Sequence, residues 1–169
     1  MKKLLFLVLM CLPALAQSQT TPAYACFSWQ EVLKSMPAYA EVQHSISALR
    51  KQYADELTLA EQEFNTKYEA FLEGQRTFAP SIMMKRQAEL RELMEKNIAF
   101  KQEAERLLRQ AEDEAMAPLT ARLKQIVQQV GEENGYAFIL NTDNEACPYV
   151  NPAYTTDITG LLKERARAR

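Results

Sequence analysis

A long stripe of apolar residues runs through the middle of the chain. From Val42 to Phe71, apolar residues recur at steps of three or four positions. This spacing is that of one face of an amphipathic α-helix, and it averages about 3.6 residues, which favours a nearly straight helix over a left-handed coiled coil. The members of this stripe are Val42, Ile46, Leu49, Tyr53, Leu57, Ala60, Phe64, Tyr68 and Phe71.

A second stripe follows a break at residues 74–81. The break contains Gly74 and Pro80, which predict a turn, and Ser81 is the expected N-cap of the next helix. The two stripes predict an antiparallel helical hairpin over residues 38–117, with its tip at 74–81 and two arms of equal length. Pro118 is expected to kink the returning helix where it enters the base, and this helix is expected to end near residues 131–135. The second stripe consists of Ile82, Leu90, Leu93, Ile98, Ala104, Leu108, Ala111, Ala115 and Leu119.

The two ends of the chain are expected to form a base, residues 23–36 and 119–169. It contains three β-prone segments, at 24–28, 136–140 and 147–151, and a terminal helix capped by Asp157. We therefore predict a mainly α fold, a long hairpin on a small β-containing base. A base of this size is marginally stable by itself, so we expect the chain to oligomerise through it.

The first residues have the pattern of a cleavable signal peptide. Lys2 and Lys3 precede a short apolar run, and Ala14-Leu15-Ala16 is a small-x-small cleavage pattern. We predict that residues 1–16 are removed and that residues 17–169 form a single exported unit. No later segment is apolar and long enough to be an integral membrane helix. Export leads to an oxidising compartment, where Cys26 and Cys147 can form a disulfide.

Composition and charge argue against several classes of function. The chain has 20 basic and 22 acidic residues, which argues against nucleic-acid binding. Its 4 glycines form no phosphate-binding loop, and its single His44 provides no histidine cluster for a metal, so no cofactor is predicted. The carboxylates are spread along helices, and Cys26 and Cys147 are too far apart for a CxxC motif. An enzyme, including a thiol oxidoreductase, is therefore not favoured.

The order of these features resembles that of the Skp/OmpH family of periplasmic chaperones for outer-membrane proteins. The resemblance rests on the signal peptide, the first strand, the hairpin, the segment 135–141, and Asp157-Ile158-Thr159 followed by Leu161-Leu162-Lys163. It implies a homotrimer with a small central barrel, whose hairpins surround an unfolded outer-membrane β-barrel protein. The function implied is that of an ATP-independent holdase in the periplasm. The alternative is a structural coiled-coil adaptor of the cell envelope, which would need additional β-domains.

Within this interpretation, the tip of the hairpin is the candidate client-binding site. Its apolar residues have little neighbouring surface against which to be buried, and methionine suits promiscuous binding. Basic residues beside them would attract carboxylates of a client. A plain solvated turn is the competing interpretation. The candidate residues are Phe78, Ile82, Met83, Met84, Arg76, Lys85 and Arg86.

Overall fold

The computed structural model of the chain describes residues 23–145 and 147–168, so the expected signal peptide lies outside the described residues. The described residues form a long helical hairpin on a small base that contains a sheet, which confirms the predicted fold class. The elements in chain order are β1 Ala23–Phe27, α1 Trp29–Ser35, α2 Pro37–Gly74, α3 Pro80–Asn134, β2 Tyr136–Asn141, a 3-10 turn Asp143–Glu145, β3 Thr155–Asp157 and α4 Thr159–Arg167.

The hairpin consists of α2 and α3. Helix α2 has 38 residues and is about 57 Å long. Helix α3 has 55 residues, because it continues through Pro118 into the base and ends at Asn134, within the expected end region. The expected cap at Ser81 is wrong. Ala79 is the N-cap and makes no side-chain hydrogen bond, while Pro80 is the first helical residue, a position that suits the fixed φ of proline.

The seam between α2 and α3 follows the first predicted stripe closely. Every residue of that stripe except Tyr68 is buried or half-buried. The ring of Tyr53 packs against that of Phe100 across the seam, with centroids 6.1 Å apart. The second stripe is wrong at Ile82 and Ile98, which are both exposed.

A polar residue takes part in the seam instead. The Asn97 side-chain amide donates a hydrogen bond to the backbone carbonyl of Ala60, 3.1 Å away on the opposite helix. Because Asn97 and Ala60 are both half-buried, this bond fixes the register of the two helices at mid-length.

The base contains a parallel sheet with the strand order β2-β1-β3 among the described residues. Ala25 pairs with Ile139 on one side and Thr156 on the other, and Cys26 pairs with Leu140 and Asp157. The first two β-prone segments form strands as predicted. The third prediction is wrong, because residues 147–151 form no strand and β3 lies farther along the chain.

Helices α1, α3 and α4 pack on the inner face of the sheet. Phe27 and Trp29 pack together in this base, with ring centroids 6.0 Å apart. Asp157 lies one position before the N-cap Ile158, yet its carboxylate accepts a hydrogen bond from the Thr159 amide at 2.8 Å. The buried core consists of Ala25, Phe27, Val32, Met36, Leu119, Leu123, Val130, Ile158, Leu162 and Ala166.

Candidate functional site

The tip of the hairpin is a tight, ordered turn. The Thr77 backbone amide donates a hydrogen bond to the Gly74 carbonyl at 2.9 Å, and the Thr77 hydroxyl donates another to the same oxygen. Phe78 folds back against Gly74, and its ring centroid is 6.2 Å from that of Phe71. The turn is therefore held by its own contacts.

The structure divides the four predicted apolar residues into two pairs. Ile82 and Met84 are exposed, at 46% and 70% of their surface, whereas Phe78 and Met83 are half-buried. The exposed pair is accessible to another chain. Phe78 has a structural role in the turn as well.

The three predicted cations are all exposed near the turn. Lys85 and Arg86 lie 3.7 Å and 3.1 Å from the carboxylate of Glu89, one helical turn farther along α3. Residues 74–91 contain Arg76, Lys85, Arg86 and Arg91 but only one acidic residue, so this segment remains positively charged. The positive charge lies beside the apolar residues, as the sequence indicates.

A cleft between the two helices adds residues that the sequence analysis missed. Its volume is about 130 Å³, and it lies directly beside the turn. Ala70 of α2 and Leu90 of α3 are far apart in sequence, so only the register of the two helices brings them together. The residues lining the cleft are Lys67, Ala70, Phe71, Phe78, Arg86, Glu89 and Leu90.

Large apolar side chains are also exposed along the rest of the hairpin. Large contiguous apolar patches on soluble proteins commonly mark interaction sites. The exposed residues here lie on both helices, between the tip and the middle of the arms. They are Leu59, Tyr68, Leu72, Met94 and Ile98. Within the described residues, no helix combines the length and the apolar character needed to cross a membrane.

The outer face of the sheet is a second exposed apolar surface. Tyr24 of β1 stacks on Phe138 of β2, with ring centroids 6.0 Å apart and an interplanar angle of 6°. Phe138 is 63% exposed and Leu140 is 40% exposed, although both belong to a strand. Strand β2 lies at the edge of the sheet, where its backbone can pair with another strand.

The two cysteines lie on neighbouring parts of the base. Cys26 belongs to β1, and Cys147 follows β2 and precedes β3, the two strands that flank β1. Both are half-buried free thiols, and the Cys147 thiol donates to the carbonyl of Tyr149 at 3.5 Å. Burial, the Asp157 carboxylate and the nearby Cys147 together raise the pKa of the Cys26 thiol.

Comparisons with known proteins agree on a family and a fold. The family model described as outer membrane protein (OmpH-like) matches residues 23–165. A crystal structure of an OmpH-like outer membrane chaperone from Caulobacter crescentus CB15 superimposes with a TM-score of 0.71 and 21% sequence identity. The superposition covers 90% of this chain and 88% of that one. No curated protein matches the sequence. Because the family model spans nearly all of the described residues, the chain belongs to the OmpH-like family.

Proposed function

We propose that this protein is a periplasmic, ATP-independent holdase chaperone. It binds unfolded outer-membrane β-barrel proteins as a homotrimer and prevents their aggregation during transit. The observation that carries this proposal is a long, solvent-exposed hairpin that displays large apolar side chains on both of its helices. The description of the structurally similar protein from Caulobacter as an outer membrane chaperone supports it.

The exposed apolar residues suit a client that has no fixed structure. An unfolded β-barrel segment presents alternating apolar side chains, and each contact with a side chain such as Met84 or Ile98 is weak by itself. Several hairpins around one client add many such contacts, so that binding becomes strong while each contact exchanges readily. Release then requires no nucleotide, because folding of the client removes its apolar side chains from the chaperone.

The base supports assembly of several copies. The edge strand β2 has six residues, and its Phe138 and Leu140 extend an apolar face that no part of the described chain covers. An exposed, apolar edge strand is unfavourable in an isolated protein and is normally covered by a partner. A second and third copy of the same chain would cover it and place the hairpins around a common space.

Two measurements on the mature protein test this proposal. Light scattering should give the mass of three chains. The protein should also suppress aggregation of a urea-denatured outer-membrane β-barrel after dilution, equally well with and without ATP. A protein that leaves the aggregation unchanged at a several-fold excess over the client would overturn the proposed function.

A pull-down from periplasm distinguishes this function from the structural adaptor. A holdase should enrich many different β-barrel precursors, each in small amounts. An adaptor should enrich one folded partner in a fixed ratio. Enrichment of one folded partner alone would favour the adaptor.

A further inference from the structure

We infer that the cleft beside the turn is a binding site for one large apolar side chain of an unfolded client. The side chain is aromatic or branched aliphatic, and a carboxylate next to it in the client sequence strengthens binding. This inference rests on the proposed function and names the part of the client that the tip selects. Phe71 of α2 and Phe78 of the turn both line the cleft.

The size and lining of the cleft fit one side chain. Its volume of about 130 Å³ is close to the ~150 Å³ of an engineered protein cavity that takes up benzene. Phe71 and Phe78, whose rings pack on each other, form an aromatic side of the cleft, and Ala70 and Leu90 add further apolar surface. The small side chain of Ala70 leaves the space that a larger residue at this position would fill.

The cleft exists before a ligand binds. Phe78 is held against Gly74, and the turn that carries it is fixed by the two hydrogen bonds from Thr77 to the Gly74 carbonyl. A preformed site loses little conformational entropy on binding, which favours capture of even a single side chain.

The charges at the rim select the neighbouring group of the ligand. Lys67 lies on the α2 side of the cleft and Arg86 on the α3 side, so cations flank the opening on both helices. Lys67 is paired with Glu63 at 2.6 Å, whereas Arg86 shares the single carboxylate of Glu89 with Lys85, so two cations on the α3 side face one anion. A client carboxylate can therefore interact with Arg86, which keeps part of its positive charge.

Filling the cleft tests the site directly. The probe is N-acetyl-phenylalanyl-aspartate amide, followed by the amide NMR signals of Ala70 and Leu90 in the full-length mature protein. The parent should show saturable shifts at these signals. Ala70→Phe should weaken probe binding about tenfold, the loss expected when one large side chain can no longer be buried.

A matched control carries the same new ring elsewhere. Ala88 is exposed and lies on α3, but it is not part of the cleft lining. Ala88→Phe should therefore leave probe binding unchanged. Equal loss in Ala70→Phe and Ala88→Phe, or shifts that are spread evenly along the hairpin, would overturn the inference.

The charge requirement has its own matched pair. Lys85 and Arg86 both contact Glu89, but only Arg86 lines the cleft. At low salt, Arg86→Gln should weaken binding of the probe about threefold, as loss of an exposed ion pair does, and Lys85→Gln should have a smaller effect. Removing the probe's own carboxylate should cancel this difference between the two variants. Equal weakening by both variants would overturn the assignment of Arg86 to the rim.

The aggregation assay separates failure of this site from failure of the proposed function. If the parent does not protect an unfolded β-barrel, the proposed function fails. If the parent protects the client but the probe causes no shifts at Ala70 and Leu90, the proposed function stands and the cleft is not a client site.

Discussion

The ring of Phe78 lies over Gly74 so closely that a Cβ on Gly74 would be 2.3 Å from Phe78 Cζ. No side chain larger than hydrogen fits at residue 74 unless the ring moves. Glycine therefore serves a packing purpose here, because it lets an aromatic residue of the turn cover the end of α2. The same ring forms a wall of the cleft, which links the turn's sequence to the shape of the candidate site.

Gly74→Ala should weaken binding of the probe to the cleft while changing the free energy of unfolding only slightly. Alanine favours the helical conformation over glycine by about 1 kcal/mol, which offsets part of the cost of displacing the Phe78 ring. We expect the free energy of unfolding to change by no more than about 1 kcal/mol, while the displaced Phe78 ring no longer closes the cleft. Urea unfolding and the NMR probe experiment measure the two effects. Unchanged probe binding would show that the ring does not shape the site.

The cysteine pair provides a second prediction. Cys26 and Cys147 should form an intrachain disulfide after export, when a thiol–disulfide oxidoreductase in its disulfide form accepts the two electrons and two protons released by the thiols. The bond would stabilise the base by ~4 to 5 kcal/mol in the chain-entropy model if its geometry is unstrained. Because the pKa of Cys26 is raised, this thiol should be alkylated more slowly than a free cysteine at neutral pH once the bond is reduced.

Mass spectrometry of protein isolated from the periplasm tests this pairing. The sample is alkylated with and without prior reduction, and a Cys147→Ser variant serves as the control that leaves one free thiol. Two alkylated cysteines without reduction would contradict the prediction. A dimer or trimer on a non-reducing gel would show that the bridge forms between chains instead.

The outer face of the sheet leads to a prediction about assembly. Phe138→Glu places a charge beside Tyr24 on the exposed apolar face, without entering the buried core. Losing burial of this side chain should cost about 1.5 to 3 kcal/mol per copy at an interface. On dilution, the proposed trimer of the variant should therefore dissociate at a much higher protein concentration than that of the parent. Analytical ultracentrifugation over a dilution series measures this shift. A variant with the parent's dissociation curve would show that the interface lies elsewhere.

Asp157 connects the end of β3 to the start of α4, and its role should depend on pH. The hydroxyl and the backbone amide of Thr159 both donate to this carboxylate, which lowers the pKa of Asp157. A lowered folded-state pKa gives stability above the unfolded pKa of about 3.9, and this stability is lost as the pH falls through the folded value. Asp157→Ala should cost about 1 kcal/mol at pH 7, and the difference from the parent should shrink below about pH 4.

Urea unfolding at fixed protein concentration and several pH values tests the role of Asp157. A control is Asp55→Ala on the exposed face of α2, where the carboxylate pairs with Lys51, one turn earlier. This variant should change stability by a few tenths of a kcal/mol. A cost for Asp157→Ala that stays constant down to pH 3 would contradict a role for its charge.

The hairpin could be predicted from the sequence because nearly all apolar residues of the first stripe are buried or half-buried in the seam between the two helices. The prediction for the second stripe was wrong at Ile98 because it assumed that an apolar residue faces the partner helix there. At this point of the seam, the side-chain amide of Asn97 instead donates a hydrogen bond to the Ala60 carbonyl. The failure at β3 has a different cause. Pairing with β1, a long-range interaction, places the strand at Thr155–Asp157, and local β propensity carries no information about that pairing.

The candidate site was predictable only in part. The apolar and basic character of the tip is visible in a continuous segment of sequence. The cleft requires Ala70 and Leu90 to meet, and this depends on how many residues the turn contains and on how Phe78 folds back. Neither the interhelical register nor a ring position follows from periodicity alone.

The last prediction concerns which part of the hairpin first holds a client. Ile82 and Met84 are exposed at the tip, and Met94 and Ile98 are similarly exposed farther along α3. Replacing either pair by serine removes comparable apolar surface and disturbs neither Gly74 nor the turn. If the tip is the main contact, the Ile82→Ser/Met84→Ser variant should protect an unfolded β-barrel several-fold less well than the Met94→Ser/Ile98→Ser variant.

The physical basis for this expectation is the combination of groups at the tip. The distal segment adds Arg76, Lys85 and Arg86 to its exposed apolar residues, so apolar burial and attraction of carboxylates act on the same client segment. The aggregation assay should be run at low and high salt, because screening weakens only the second contribution. Equal protection by the two variants at both salt concentrations would show that the client is held along the whole arm, and a greater loss for the Met94/Ile98 variant would place the main contact at mid-hairpin.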